Sequence, residues 1–175
     1  MTNRQPVFSP GSPLYRPDRH HLRGSMGRFA TGVAVVTFDA AENRHGVTVN
    51  SFAAVSLEPP LVLVSIQHST RAYPMMRDRP FVINVLGAEQ EQVAWHFAGK
   101  PSMTPTWIEG PYAPRLCGAL SYFECVPWAE FEAGDHSLFL GQVQDFDCRS
   151  GDALGFLDGQ FIAIPELVRG HESLI

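Results

Sequence analysis

The 175-residue chain lacks the features that mark several large classes of protein. No apolar run approaches the roughly 18 residues that a membrane-spanning helix requires, and the segment 1–23 has no apolar stretch followed by a small-residue cleavage site. Neither a membrane anchor nor a secretory signal is therefore expected. Charged residues make up only 18%, which disfavours disorder and coiled coil. The net charge is −5 and there is no basic stripe, so nucleic-acid binding is not expected either.

Cysteine is also scarce. The three cysteines, Cys117, Cys125 and Cys148, are odd in number and form no CxxC pair, so a disulfide framework and a zinc ribbon are not expected. Free thiols are typical of a reducing cytoplasm, which is the predicted compartment. The seven histidines are scattered along the chain, and no metal site is predicted.

Several common catalytic motifs are missing. The sequence has no GxGxxG after a strand, no GxxxxGK[ST] loop, no HExxH and no GxSxG. A Rossmann dinucleotide site, a P-loop, a zinc protease helix and a hydrolase nucleophile elbow are therefore unsupported.

Short β-branched and aromatic runs dominate what is present. They predict about seven mostly consecutive strands and two or three helices, hence an antiparallel sheet in a mainly β fold, a closed or partly closed barrel with helices at its ends. The proline-bearing residues 1–18 are predicted to form a flexible arm, and 19–175 a single domain. The predicted helices cover 18–30, 69–79 and 88–98, and the predicted strands 33–38, 46–51, 61–66, 81–86, 116–133 with an interruption at Pro127, 136–148 and 161–164.

Two polar segments follow predicted strands. In the first, Thr48 and Asn50 project to one face of a strand and Ser51 to the other, so this segment can offer donors to the edge of a planar heterocycle or can simply begin a turn. In the second, Ser65 ends a buried strand, and Ser69, Thr70 and Arg71 follow it. Hydroxyls, helix N–H groups and a guanidinium suit a phosphate, although ordinary helix capping beside a surface arginine explains the same residues.

A third segment, Gly134-Asp135-His136, opens a strand. A turn of this kind can hold an imidazole at the mouth of a barrel, where it can bond a ligand or move a proton, or it can leave an exposed histidine. Four carboxylates, Glu124, Glu130, Glu132 and Asp135, also fall close together. A paired-carboxylate hydrolase and a solvated strand face are the alternatives for them, and the solvated face is the prediction.

Taken together, these segments resemble the flavin reductase-like family, the small NAD(P)H:flavin oxidoreductases of two-component monooxygenase systems. The resemblance extends from about residue 24 to residue 165. The matching stretches are Phe29–Thr37 (FATGVAVVT), Gly46–Ser65 (GVTVNSFAAVSLEPPLVLVS), Ser69-Thr70, Phe81–Leu86 (FVINVL), Phe97-Ala98-Gly99, and Gly134-Asp135-His136 with Leu138–Val143.

The resemblance implies a split β-barrel that binds FMN or FAD, usually as a homodimer with the flavin near the subunit interface. Matched motif by motif, the residues that contact the isoalloxazine and ribityl parts are Thr48, Val49, Asn50 and Ser51. Those that hold the ribityl–phosphate end are Ser65, Ile66, Ser69, Thr70 and Arg71. Gly134, Asp135 and His136 lie on the nicotinamide side, and His136 is the expected catalytic residue.

The activity that this resemblance implies is hydride transfer from NADH or NADPH to N5 of the flavin, with the reduced flavin passing to a separate oxygenase. Three alternatives stay open. One is a flavin-binding or storage module without reductase activity. Another is a split-barrel enzyme that keeps its cofactor, such as an oxidase of pyridoxine type or an F420-linked enzyme. The third is a barrel that only binds another protein.

Overall fold

Every strand pair in the structure is antiparallel, as the run of consecutive strands predicts. The computed structural model describes residues 18–41 and 43–167, so the predicted arm lies outside the described residues except for Asp18. The strands are β1 (Thr31–Gly32), β2 (Ala34–Ala40), β3 (Asn43–Val49), β4 (Ala53–Leu57), β5 (Pro60–Gln67), β6 (Phe81–Val85), β7 (Trp107–Ile108), β8 (Arg115–Leu116), β9 (Ser121–Ala133), β10 (His136–Cys148), β11 (Ala153–Leu157) and β12 (Gln160–Ile164). The helices are α1 (Arg19–Gly27), α2 (Ala72–Met76) and α3 (Glu91–Phe97), which a 3-10 turn (Ala88–Gln90) precedes.

A seven-stranded sheet carries most of the fold. Its strand order is β3-β2-β6-β9-β10-β5-β4, while β1, β11 and β12 form a second sheet and β7 and β8 a third. The sheets do not join into one closed cylinder, which agrees with the predicted split barrel. Within the described ranges, no helix is both long and apolar enough to cross a membrane.

The large sheet is buried on both faces at its centre. On one face, Val36 and Phe38 of β2 pack with Val64 and Ile66 of β5 in the barrel interior. On the other face, Val35 packs in a second apolar cluster with residues of α3 and β11. Strands that face two cores read as nearly continuous apolar runs, which explains why β2 and β5 are easily found in the sequence.

The long hairpin of β9 and β10 confirms the prediction of a strand interrupted at Pro127. Pro127 lies opposite Gly141, and the register shifts between Leu140 and Gly141, so that Trp128 bulges out of the ladder. Gly141 is required at this point, because a Cβ there would lie 2.6 Å from the ring of Phe81.

The helices are shorter than predicted. Asp18 caps α1 as expected, its Oδ1 accepting from the His20 N–H at 2.9 Å. Capping of α2 by Ser69 and Thr70, one of the two alternatives for these residues, does not occur in the structure. The residue at the cap is Arg71, and its side chain makes no capping hydrogen bond. The Thr70 hydroxyl instead donates to the Gln67 carbonyl and closes the turn before the helix.

The strand count in the sequence-based prediction is too low. It omits β4 and β11, as well as the two-residue strands β1, β7 and β8, and it begins β3 at Gly46 instead of Asn43. The apolar residues of β4 are largely exposed at the edge of the sheet. Such a strand carries no buried apolar run by which a sequence pattern could detect it.

Candidate functional site

The three polar segments singled out in the sequence meet at one cleft of about 220 Å³. Antiparallel pairing is the reason, because β5 ends where β10 begins and Gln67 lies opposite His136. The end of β3 lies beside them. The cleft is lined by Val47, Thr48, Val49, Asn50, Ser51, Ser65, Ile66, Gln67, Thr70 and His136.

Most of the predicted site residues lie in this wall, but not all of them. Ser69 and Arg71 are exposed beside it, and Gly134 and Asp135 form the turn next to His136 without lining it. Val47 and Gln67 line the cleft and were not predicted. Gln67 is the register partner of His136, which becomes visible only once the two strands are paired.

Two hydroxyls at the cleft, those of Thr48 and Ser51, bind the protein's own backbone. Thr48 Oγ1 donates to the Ala94 carbonyl of α3 at 2.7 Å. Ser51 Oγ accepts from the Ser65 N–H and donates to the Ser65 carbonyl, both at 3.0 Å. These bonds fix β3 against the helix and the following loop against β5. Thr48 and Ser51 therefore shape the cleft through the backbone that they hold in place.

Two other predicted contacts can reach the cleft only through their main chain. The side chains of Val49 and Ile66 are 8% and 1% exposed, and both belong to the barrel core. The ligand-facing groups of the wall are the exposed amide of Asn50, the side chains of Ser65 and Gln67, and main-chain groups. Because β3 is an edge strand that pairs only with β2, alternate N–H and C=O groups along it face away from the sheet. That alternation suits the edge of a heterocycle.

His136 stands at the mouth of the cleft with its ring oriented by its neighbour. Gly134, at φ +69°, makes the tight turn, and His136 Nδ1 lies 2.7 Å from Asp135 Oδ1. The hydrogen bond from the imidazole lowers the pKa of Asp135 below its ordinary value. An ionised carboxylate only accepts hydrogen bonds, so Nδ1 carries the proton and Nε2 is left for a ligand.

A family model described as the flavin reductase like domain matches residues 26–165. The chain belongs to the flavin reductase-like family. An NADH-dependent FAD reductase of Streptomyces globisporus is 40% identical over 149 residues, which cover 79% of this chain and 81% of that protein. The NADH-dependent FMN reductase SmoA of Agrobacterium fabrum is 40% identical over 159 residues, with 89% of each chain covered.

A solved structure extends the likeness to the fold. BorF, the flavin reductase component of a bacterial two-component tryptophan halogenase, superposes with a TM-score of 0.79 at 37% identity, covering 86% of this chain and all of its own. Membership of the flavin reductase-like family confirms the resemblance seen in the sequence and the split-barrel prediction that came with it.

The four acidic residues do not form a paired-carboxylate site in this flavin reductase-like fold. Glu130 pairs with Arg77 at 3.0 Å, and Asp135 pairs with His136. Glu124 is wholly buried, so the prediction that it lies on a solvated face is wrong. Its nearest cation is Arg115, whose Nη1 is 3.6 Å away, and burial raises the pKa of the Glu124 carboxyl.

Proposed function

We propose that this protein is a flavin reductase, which catalyses the reduction of free FMN or FAD by NADH or NADPH. The observation that carries the proposal is the convergence of Thr48–Ser51, Ser65–Thr70 and His136 on one open cleft. When bound, flavin supplies the N5 atom that accepts a hydride. The protein then has to hold two flat rings against each other and leave the cleft open for exchange.

We assign the polar edge of the flavin ring to the end of β3. Backbone N–H groups there, with the amide of Asn50, would hydrogen-bond the pyrimidine edge, where negative charge develops on reduction. The turn that follows Ser65 would hold the ribityl chain and the first phosphate. Ser69 and Arg71 flank this turn and are exposed, so their hydroxyl and guanidinium can turn toward a phosphate without disturbing the core.

His136 is assigned to the nicotinamide. With Nδ1–H donated to Asp135, Nε2 is the ring nitrogen left to accept a hydrogen bond, and the amide N–H of a nicotinamide carboxamide is a suitable donor. The side chain is 38% exposed, so it can meet a ligand that arrives from solvent. Asp135 acts through His136, because it fixes the tautomer and the ring orientation.

We also propose that the protein forms a homodimer through the outer face of the large sheet. Cross-strand partners share a face, so the register places Leu63, Phe131, Leu138 and Leu140 together on that side. None of these side chains is buried in one chain, and Phe131 is 56% exposed. A second copy would cover this apolar surface. His136 lies on the same face, so the partner would border the cleft.

The reduced flavin would leave this cleft and serve a separate flavin-dependent oxygenase, and we place both proteins in the cytoplasm. Hydroxyls committed to the backbone and a shallow wall favour exchange of the flavin over its retention. The exposed free thiols Cys117 and Cys148 suit a reducing compartment.

The test is a turnover assay with purified protein, NADH or NADPH, and FMN or FAD, followed at the nicotinamide absorbance band. Nicotinamide oxidation that depends on added flavin and saturates with it is the expected result. Absence of flavin-dependent oxidation with either nucleotide would refute the proposal. Activity that needs no added flavin would instead favour an enzyme with a fixed cofactor, and flavin binding without turnover would favour a storage module.

A further inference from the structure

We propose that His68 is a positioning residue that locks the His136 turn onto the flavin-binding turn, and so controls nicotinamide binding more than flavin binding. The inference rests on the proposed reductase function. His68 directly follows the last residue of β5 and is half-buried. It makes two contacts with the segment that carries His136, one through its main chain and one through its ring.

The main-chain contact extends the ladder between β5 and β10. The His68 N–H donates to the Asp135 carbonyl at 3.0 Å, one step beyond the pairing of Gln67 with His136. This bond fixes the residue whose carboxylate orients the His136 ring. The turn that presents His136 is therefore hydrogen-bonded directly to His68.

The side-chain contact holds the same segment from inside the barrel. His68 Nε2 lies 3.1 Å from the hydroxyl of Ser137, which is wholly buried. Successive residues of a strand point to opposite faces, so Ser137 points into the barrel while His136 points to the cleft. His68 is thus bonded to the inner side of β10, whose outer side carries His136, the proposed nicotinamide contact.

Hydrogen bonds continue from Ser137 through Tyr73 to the carboxylate of Glu130. The Ser137 hydroxyl donates to Tyr73 at 3.5 Å, and Tyr73 donates to Glu130 at 3.4 Å. The tautomer of His68 decides whether Nε2 donates to the Ser137 hydroxyl or accepts from it, and either direction ties the ring to Ser137. The His68 ring also lies against the Tyr73 ring, with centroids 4.6 Å apart. Arg77 holds Glu130 from the other side at 3.0 Å.

Loss of the His68 ring should affect the His136 end of the cleft and not the end formed by β3. Loss of the His68 ring leaves β3 and its free edge untouched, because no contact of this chain of hydrogen bonds reaches them. It releases the start of β10, and with it the orientation of His136. Nicotinamide recognition therefore weakens, while recognition of the flavin ring at the end of β3 persists.

The experiment compares His68→Ala, Ser137→Ala, their double variant and His68→Gln with the wild type. His45→Ala is the matched control, because His45 also stacks on an aromatic ring, that of Phe38, and does not line the cleft. We expect KM for NADH to rise about fivefold in each single variant, the equivalent of roughly 1 kcal/mol for one neutral hydrogen bond. The dissociation constant for flavin, measured by fluorescence titration, should change by less than about twofold.

Two further results are expected. The double variant should be no worse than the more impaired of the two single variants, since each of these already lacks the bond between His68 and Ser137. His68→Gln should recover most of the loss, because its amide can still donate to Ser137. Equal weakening of flavin and NADH, additive effects in the double variant, or the same effect in His45→Ala would overturn the proposal.

Amide hydrogen exchange separates this inference from the proposed function. Exchange in the segment 134–137 should rise in His68→Ala and not in His45→Ala, whether or not the protein turns over NADH. Unchanged exchange in this segment would refute the positioning role. A wild-type protein without flavin-dependent activity would refute the reductase proposal and leave the exchange result standing.

Discussion

Replacement of His136 by alanine tests the assignment of the two ends of the cleft. The imidazole is held by Asp135 at 2.7 Å, and Nε2 is free for a single hydrogen bond to the nicotinamide carboxamide. The loss of one hydrogen bond between neutral groups costs about 0.5–1.5 kcal/mol. Because the ring is 38% exposed, its removal creates no core cavity, and the melting temperature should stay nearly unchanged.

The expected result for His136→Ala is a fall in kcat/KM for NADH of about two- to tenfold, which follows from that energy. The measurement is steady-state kinetics with NADH varied at saturating flavin, together with a fluorescence titration of flavin. His136→Asn is the matched variant, since it keeps a short acceptor and should recover part of the loss. Equal losses of NADH and flavin binding would refute the assignment of His136 to the nicotinamide.

Three other substitutions test the remaining parts of the structure. Thr48→Val removes the bond to α3, so both the melting temperature and flavin affinity should fall, and unchanged flavin affinity would contradict the scaffold role. If the proposed dimer forms through the large sheet, Leu140→Glu should give a monomer in sedimentation, whereas Met26→Glu on exposed α1 should leave the dimer intact. Glu124→Gln should change the pH dependence of stability. Burial raises the pKa of Glu124 in the folded state. Its contribution to folding stability is therefore fully present below the pKa of the unfolded chain, near 4.3, and is lost as the pH rises through the pKa of the folded state. The difference in melting temperature between Glu124→Gln and the wild type should therefore favour the variant more at about pH 8 than at about pH 4. An equal difference at the two pH values would contradict the role of burial.

The elements that the sequence predicts well are those with two strong signals. The bounds of β10, His136–Cys148, agree residue for residue with the prediction, because the Gly134-Asp135 turn marks its start and the apolar run Leu138–Leu140 follows closely. By contrast, β11 was missed, since Gly155 and the following Asp158-Gly159 resemble a loop. Both residues of that turn have positive φ, so an Asp-Gly hairpin flanked by apolar residues was the signal that could have found it.

The members of the candidate site could be predicted better than their manner of action. The resemblance to the flavin reductase-like family placed Thr48, Ser51 and His136 in one site, and the fold brings them to one cleft. It could not indicate that Thr48 bonds α3 or that Ser51 bonds β5, because those partners, Ala94 and Ser65, are defined only by packing. The burial of Glu124 could not be predicted for the same reason, since Gly110 and Arg115, which lie against its carboxylate, belong to another segment of the chain.

The polar side chains of the cleft differ in whether they also hold the fold together. Because the hydroxyls of Thr48 and Ser51 bond the protein's own carbonyl and amide groups, the flavin contacts that we propose for this end of the cleft come from backbone groups and the Asn50 amide. Substitutions there act by moving the backbone and so change stability and flavin affinity together. Within residues 18–41 and 43–167, the His136 ring is hydrogen-bonded only to Asp135, and we expect its loss to weaken the binding of one ligand, the nicotinamide. The two kinds of residue can therefore be told apart by whether stability and affinity change in parallel.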